Sequence, residues 1–423
     1  MHEINTRNFL ASMGLESLRE NWRDDLLSGF LVFLMALPLC LGIAMASGFP
    51  PSAGIITAVV GGLLVSRING SYMTINGPAA GLIVVVYTAV QTLGEGDAMA
   101  GYRYTLAAIV VASVLQIAMG LLKAGQVSAF FPAAVVHGML AAIGIIIIAK
   151  QSHVMLGITP EPGSLFSTLS QIPHSLMNPV TEIAFIGFSG LAVLIFWPRL
   201  KSERLKLIPA PLMVIIVGML LGQIFALQHE SPSLVEPEQL TGSEFLVDLP
   251  ADFLSSFYFP DFSKSFTLEF WGAVISLCLV GTLESMLSAT AVDRLDPYKR
   301  TTDLDKDLTA IGIGNFICGM IGGLPMIAEI VRSSANVNNG GKTGWANFFH
   351  GLILLLFVVL FPRLIQNIPL ASLAVLLVYT GFRLASPQSF RKVLEIGVEQ
   401  LALFVITIIG VLATDLLIIH HKV

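Results

Sequence analysis

Two stretches decide how this chain is read: GSYMTINGPAAG at residues 70–81 and GGLPMIAEIVRSSAN at residues 322–336. Each sets a Gly/Pro breaker and a few extended-type residues beside a short helix-forming run. Proline lacks an N–H, and it pushes the residue before it out of the helical region. Each stretch opens the third apolar run of its half of the chain. Paired interrupted segments at matching positions are the sequence mark of a transporter site built on inverted repeats. A half-helix that begins at mid-membrane presents unpaired N–H groups and the positive end of its dipole. Two such ends facing one another form an anion site without a full positive charge.

The rest of the chain supplies the membrane. Of 423 residues, 55% are hydrophobic and 12% are charged, about half the charged share of a soluble domain. Too few polar residues remain to cover an interior of that size in water. This excludes a soluble enzyme, a nucleic-acid binder and a disordered chain. The 38 Gly and 21 Pro are spread through apolar runs, as membrane helices tolerate. Thirteen candidate spans follow: near 28–47, 52–66, 74–92, 104–122, 130–149, 181–197, 207–227, 267–291, 306–322, 326–338, 345–362, 367–382 and 397–419.

Residues 1–25 are polar, and the spacing of Phe9, Leu10, Met13, Leu18 and Trp22 predicts an amphipathic helix on the cytoplasmic membrane surface. If every run crosses, 18 of the 23 Lys and Arg, Arg332 among them, fall on the cytoplasmic side and four outside, as the positive-inside rule demands. The acidic loop 228–265 then lies outside. The chain divides into the N-terminus (1–25), a first repeat of seven spans (26–227), the acidic loop (228–265) and a second repeat of six (266–423). Cys40, Cys278 and Cys318 each sit in an apolar run with no metal spacing and read as small buried hydrophobes.

Ionisable residues inside a span are costly and point to function. Glu284 lies deep in the eighth run, with Ser288 on the same helical face one turn on. A carboxylate beside a hydroxyl suits Na⁺, which takes oxygen ligands, or a proton site; a structural ion pair with Arg332 is the alternative. Glu329 is expected in the first turn of the tenth helix, where the dipole stabilises a carboxylate. An ionised Glu329 would repel an anion there. It is therefore protonated during binding, paired with a cation or Arg332, or turned away, and the sequence leaves these three open. Asn76 is a candidate cap for the third helix, and Pro38 a candidate break in the first run. His137 and Gln126 read as packing or interface residues. There is no GxGxxG, GxxxxGK[ST], GxSxG or HExxH in a fitting context. No ATP-driven pump, no enzyme and no cofactor beyond a candidate Na⁺ is expected, and His420–His421 is no metal site.

Several motifs occur in a telling order: DLLSGFLVFLMALPLCLGIAMASGFPPSAGIITAVVGGLL (25–64), INGSYMTINGPAAG (68–81), FFPAAVVHGML (130–140), GTLESMLSATAVDRL with DLDKDLTAIGIGN (281–315), and GGLPMIAEIVRSSANVNNGGKT (322–343). Together they resemble the sulfate permease (SulP) family of inorganic anion transporters, the solute-carrier-26 type. The resemblance implies an all-α polytopic membrane fold of seven plus seven inverted repeats, uracil-transporter-like, with a core and a gate domain. In it, spans three and ten start with short strands whose half-helices hold the anion. It implies an elevator-like cycle and a homodimer. Thr74, Ile75 and Asn76, with Ile327, Ala328 and Glu329, fall on the anion-binding positions. Glu284 and Ser288 fall on the Na⁺ positions of sodium-coupled bicarbonate members. The tenth-span version resembles a bacterial branch found beside or fused to carbonic anhydrases. This favours bicarbonate, moved with Na⁺ or H⁺ across a bacterial inner membrane, with a cytoplasmic N-terminus and a carbonic anhydrase as partner. Sulfate or a dicarboxylate is the alternative substrate; an anion channel or a non-transporting sensor is the alternative class. The family's cytoplasmic STAS domain and a fourteenth span are expected to be missing, and Ile327 and Glu329 replace small or hydroxyl residues of many members.

Overall fold

The structure, a computed structural model, describes residues 14–125, 133–159, 165–200, 208–227, 242–250 and 253–420. Phe9, Leu10, Met13, Gln126, His421 and residues 228–241 of the acidic loop lie outside the described residues.

In chain order the elements are α1 (Leu15–Ala46), α2 (Pro51–Val60, continued by a π turn, Gly61–Val65, to Ile68), β1 (Ile75–Pro78), α3 (Ile83–Gly94, entered through a 3₁₀ turn, Ala80–Leu82), α4 (Ala98–Leu121), α5 (Ala133–Met155), α6 (Leu165–Met177), α7 (Thr181–Phe196), α8 (Ala210–Ile224), α9 (Leu268–Leu295), α10 (Leu304–Ile321), β2 (Met326–Glu329), α11 (Ile330–Asn338), α12 (Trp345–Leu360), α13 (Pro362–Gln366), α14 (Leu370–Leu384), α15 (Pro387–Ile396) and α16 (Val398–His420). Among the described residues, seven helical segments are long and apolar enough to cross a membrane, and four shorter helices are apolar. The protein is a mostly helical, multi-pass membrane protein.

Two local expectations change. Pro38 lies inside α1, which runs on without a break; the carbonyl four residues earlier loses its donor, and the rest of the ladder holds. Leu18 and Trp22 belong to this same long helix and not to a separate surface helix.

The chain forms two compact units, residues 1–130 with 252–360, and residues 131–251 with 361–423. Each unit draws on both halves of the sequence.

Apolar burial does little to pull helices together in lipid, so close approach and polar contacts must do it. In the first unit, α4 and α10 meet through Gly312 against Ile117 and Gly319 against Val110. Ile56, Val60, Val65, Ala289, Ala310, Ile311, Cys318 and Met326 form a buried cluster that joins α2, α9, α10 and β2. In the second unit, α5 meets α14 where Gly144 and Gly381 face each other, and Ala141, Ala142, Phe404 and Ile408 seal α5 against α16. Buried His153 on α5 reaches two partners, Oγ of Ser175 on α6 at 2.8 Å and the Thr168 carbonyl at 3.0 Å.

The irregular part of the first unit is its two strands. α10 ends at Gly322, whose φ of +97° is the left-handed cap that glycine adopts without strain. Pro325 and Pro78 then hold the backbone out of helix. β1 and β2 pair antiparallel with Ile75 opposite Glu329, Asn76 opposite Ala328, Gly77 opposite Ile327 and Pro78 opposite Met326.

Candidate functional site

A two-stranded ladder of four residues is marginal alone, and at membrane depth every open edge needs a partner. Side chains from the neighbouring helices supply them. Asn315 on α10 works as a surrogate strand residue: its Oδ1 accepts the Met326 N–H at 2.6 Å, and its Nδ2 donates to the Met326 carbonyl at 3.2 Å. Gln116 on α4 holds that amide at 2.9 Å. Ser285 Oγ on α9 accepts the Ala328 N–H at 3.0 Å, and Ser333 Oγ on α11 accepts the Ile75 N–H at 2.9 Å. Asn347 on α12 donates to Oδ1 of Asn76 at 3.0 Å, and Asn336 donates to the Met73 carbonyl at 2.9 Å.

The ladder brings together the six residues expected to hold the anion. Ile75 and Asn76 stand opposite Glu329 and Ala328, Ile327 stands opposite Gly77, and Thr74 directly precedes β1. Thr74, Ile75, Asn76, Ile327 and Ala328 are all buried. Asn76, however, is a strand residue and does not cap the third helix, whose first turn has no side-chain cap. Its Nδ2 is buried with no hydrogen-bond partner.

The half-helices begin at opposite ends of the ladder, and each N-terminus faces a carboxylate. At α11 it is Glu329, whose Oε2 accepts the Arg332 backbone N–H at 2.6 Å. Glu329 is thus the helix N-cap, and the same oxygen lies 3.5 Å from Nε of Arg332. Of the three states left open by sequence, the structure has the pair with Arg332. At the 3₁₀ turn leading into α3 it is Glu284. A methyl group on Gly81 would overlap the Glu284 carboxylate, so glycine is what lets the two elements meet. Glu284 is buried, and its Oε2 has no hydrogen-bond partner. Ser288, one turn on along α9, is buried as well.

Arg332 is the residue that sequence reasoning misplaced. The positive-inside count puts it on the cytoplasmic side, yet among the described residues it is the bulkiest fully buried side chain, at 1% exposure. Its side chain runs from α11 back across β1. The guanidinium lies over Gly77, where a Cβ would stand 2.6 Å from Nη1. Nη2 donates to the Pro78 carbonyl, and Nη1 is 3.4 Å from Sγ of Cys40 on α1. A guanidinium has five N–H donors in a fixed fork, and these contacts leave several unused. The site therefore holds a full positive charge, contrary to the expectation of dipoles alone. The clue lay in the spacing: Arg332 is three residues after Glu329, one turn into a helix that begins inside the membrane.

With both carboxylates ionised, Glu284, Glu329 and Arg332 would together carry a charge of −1. In a medium of low dielectric such an excess is expensive. A monovalent anion added here raises the imbalance unless a cation enters too. Chemically, the arrangement offers donors to an oxyanion at Arg332 and Asn76, and an oxygen ligand to a hard cation at Glu284.

A second polar cluster ties the first unit together. Asp25 on α1 accepts from the backbone N–H of Lys342 at 2.7 Å and of Thr343 at 3.1 Å, and from the Thr343 hydroxyl at 2.5 Å. Arg300 pairs with Asp296 at 2.7 Å, donates to the Lys342 carbonyl at 2.9 Å and stacks on Tyr72 and Tyr298. Lys342 pairs with Asp24 at 2.6 Å, which raises the ammonium pKa above its ordinary value.

Comparison with known proteins gives a consistent answer. The sulfate permease family profile matches residues 22–409. YvdB of Bacillus subtilis (strain 168), a transporter provisionally assigned to sulfate, is 25% identical over 380 residues, which are 89% of this chain and 67% of that protein. The bicarbonate transporter BicA of Picosynechococcus sp. (strain ATCC 27264 / PCC 7002 / PR-6) is 25% identical over 403 residues, 94% of this chain and 68% of that one. The solved transmembrane domain of a cyanobacterial BicA superposes with a TM-score of 0.80 at 23% identity, covering 95% of this chain and 97% of the other. The fold is thus that of a known transporter domain, and the chain belongs to the sulfate permease family of anion transporters.

Proposed function

We propose that this anion transporter carries bicarbonate together with Na⁺, by an elevator-type cycle that moves the β1–β2 site across a bacterial inner membrane. One observation carries the reading: a buried guanidinium over Gly77 and, against Gly81, a buried carboxylate whose Oε2 has no hydrogen-bond partner flank the same short ladder. Arg332 and the amide of Asn76 are the donors for the anion, with Thr74, Ile75, Ile327 and Ala328 forming the frame. Glu284, with Ser288, is the cation site, Na⁺ being cargo; H⁺ at Glu284 is the alternative cation. Charge balance supports coupling, since a cation at Glu284 offsets the charge the anion brings. Transport without catalysis is the reading throughout.

The same reading takes the chain as seven plus seven inverted repeats with half-helices at spans three and ten, thirteen spans being visible in the sequence. It places the N-terminus in the cytoplasm, makes the working form a homodimer and a carbonic anhydrase its partner. Similarity to YvdB favours a second substrate reading, sulfate.

Proteoliposomes test both. Wild type is expected to take up labelled bicarbonate when an inward Na⁺ gradient is imposed, and Glu284→Gln to lose the gradient dependence. Gradient-independent uptake by wild type would end the coupling reading. Uptake of labelled sulfate in place of bicarbonate would move the chain to the second substrate.

A further inference from the structure

We infer that Glu329 is a tethered anion that holds Arg332 while no substrate is bound, and that the transported anion must displace it. The inference rests on the proposed anion site at β1–β2 and assigns Glu329 the opposite role to a ligand. Three observations carry it. First, the carboxylate of Glu329 occupies both features that would attract a substrate anion, the α11 N-terminus and Arg332, at 2.6 Å and 3.5 Å. Second, its side chain is 15% exposed while that of Arg332 is 1% exposed, so the carboxylate lies on the accessible side of the pair. Third, Oε2 of Glu284, at the other end of the same ladder, is buried with no hydrogen-bond partner, and Nη1 of Arg332 lies 3.4 Å from Sγ of Cys40 on α1. The charged group in contact with Glu329 among the described residues is the guanidinium of Arg332, which in turn touches the Cys40 thiol on α1.

An isolated arginine buried this deeply would be strongly destabilising. The tether keeps it paired between transport events. Nε of Arg332 is ion-paired with Glu329 at 3.5 Å but has no hydrogen-bond partner, so an arriving anion offers the guanidinium charge-assisted bonds and competes with Glu329 for the pairing. The displaced carboxylate must then take a cation or a proton, because it shares the neighbourhood with Glu284. Glu329 thereby sets the affinity low and links anion binding to cation entry. A ligand that must displace an internal competitor binds more weakly by the free energy of that contact.

The experiment is equilibrium binding of labelled bicarbonate, with sulfate as a parallel probe, to the purified full chain in detergent. Glu329→Gln keeps the cap, because the amide oxygen still accepts the Arg332 N–H. It is expected to bind the anion about tenfold tighter. Arg332→Gln is expected to abolish binding. Thermal unfolding of both variants in the presence and absence of bicarbonate checks folding and gives a second readout of binding. If Arg332→Gln abolishes binding but Glu329→Gln binds as wild type or more weakly, the tether is wrong and the site stands. If Arg332→Gln binds as wild type, the site reading falls and the tether with it.

Discussion

The guanidinium of Arg332 lies over Gly77, so close that a methyl group there would stand 2.6 Å from Nη1. The two residues are 255 positions apart, in the two interrupted stretches. A charged side chain from one half-helix thus rests on the strand that leads into the other. The strand can carry it only because Gly77 has no side chain.

Gly77→Ala should therefore move Arg332. The displaced atom belongs to a side chain held at both ends, by the Pro78 carbonyl and by Glu329. Uptake in proteoliposomes should fall about tenfold or more, equivalent to about 1.4 kcal/mol. Near-normal uptake would mean that the position of Arg332 is not critical.

Gly81→Ala acts on the other charge. Its methyl would overlap the Glu284 carboxylate, which must leave the turn before α3. Half-activation by Na⁺ should need at least about tenfold more Na⁺, while anion binding measured at saturating Na⁺ persists. Unchanged Na⁺ activation would place the cation elsewhere.

Two serines on α9 should separate cleanly. Ser285→Ala removes the acceptor of the Ala328 N–H and leaves a buried donor unpaired, a cost of about 1–3 kcal/mol. It should lower Tm and change the Na⁺ response little. Ser288→Ala should do the reverse, weakening Na⁺ activation at nearly constant Tm. The opposite pattern would exchange the two roles.

Asn315→Ala strips both backbone partners from Met326. Each unpaired buried group costs about 1–3 kcal/mol, so this should be the most destabilising of the single changes described here. Calorimetry in detergent, with and without bicarbonate, measures it. A Tm within a degree of wild type would show that the ladder does not depend on the clamp.

The breaks at Gly77–Pro78 and Pro325 were legible because proline and glycine act locally. Glu284 and Glu329 were legible because so few charges lie inside apolar runs. The family resemblance then aligned Thr74 to Asn76 and Ile327 to Glu329 with the ladder. Arg332 was not legible in its true place. The sequence offers Arg332 as a partner for Glu284 or Glu329 while the count of basic residues puts it on the aqueous side, and only the pairing of β1 with β2 shows that its side chain crosses back over Gly77. The supports from Gln116, Asn315, Asn347 and Ser285 were equally hidden. Each is a polar residue in an apolar run, with a partner set by the tertiary fold and not by helical periodicity.

The anion is expected to bind at Arg332, between the two half-helices. Removing Arg332 alone would leave the half-buried Glu329 carboxylate without its partner, so the most direct variant carries Arg332→Gln and Glu329→Gln together and keeps the local charge unchanged. The measurement is equilibrium binding of labelled bicarbonate to this purified double variant and to wild type at saturating Na⁺. Saturable binding by wild type and none by a folded double variant is the predicted result. Binding by the double variant at wild-type affinity would contradict the account.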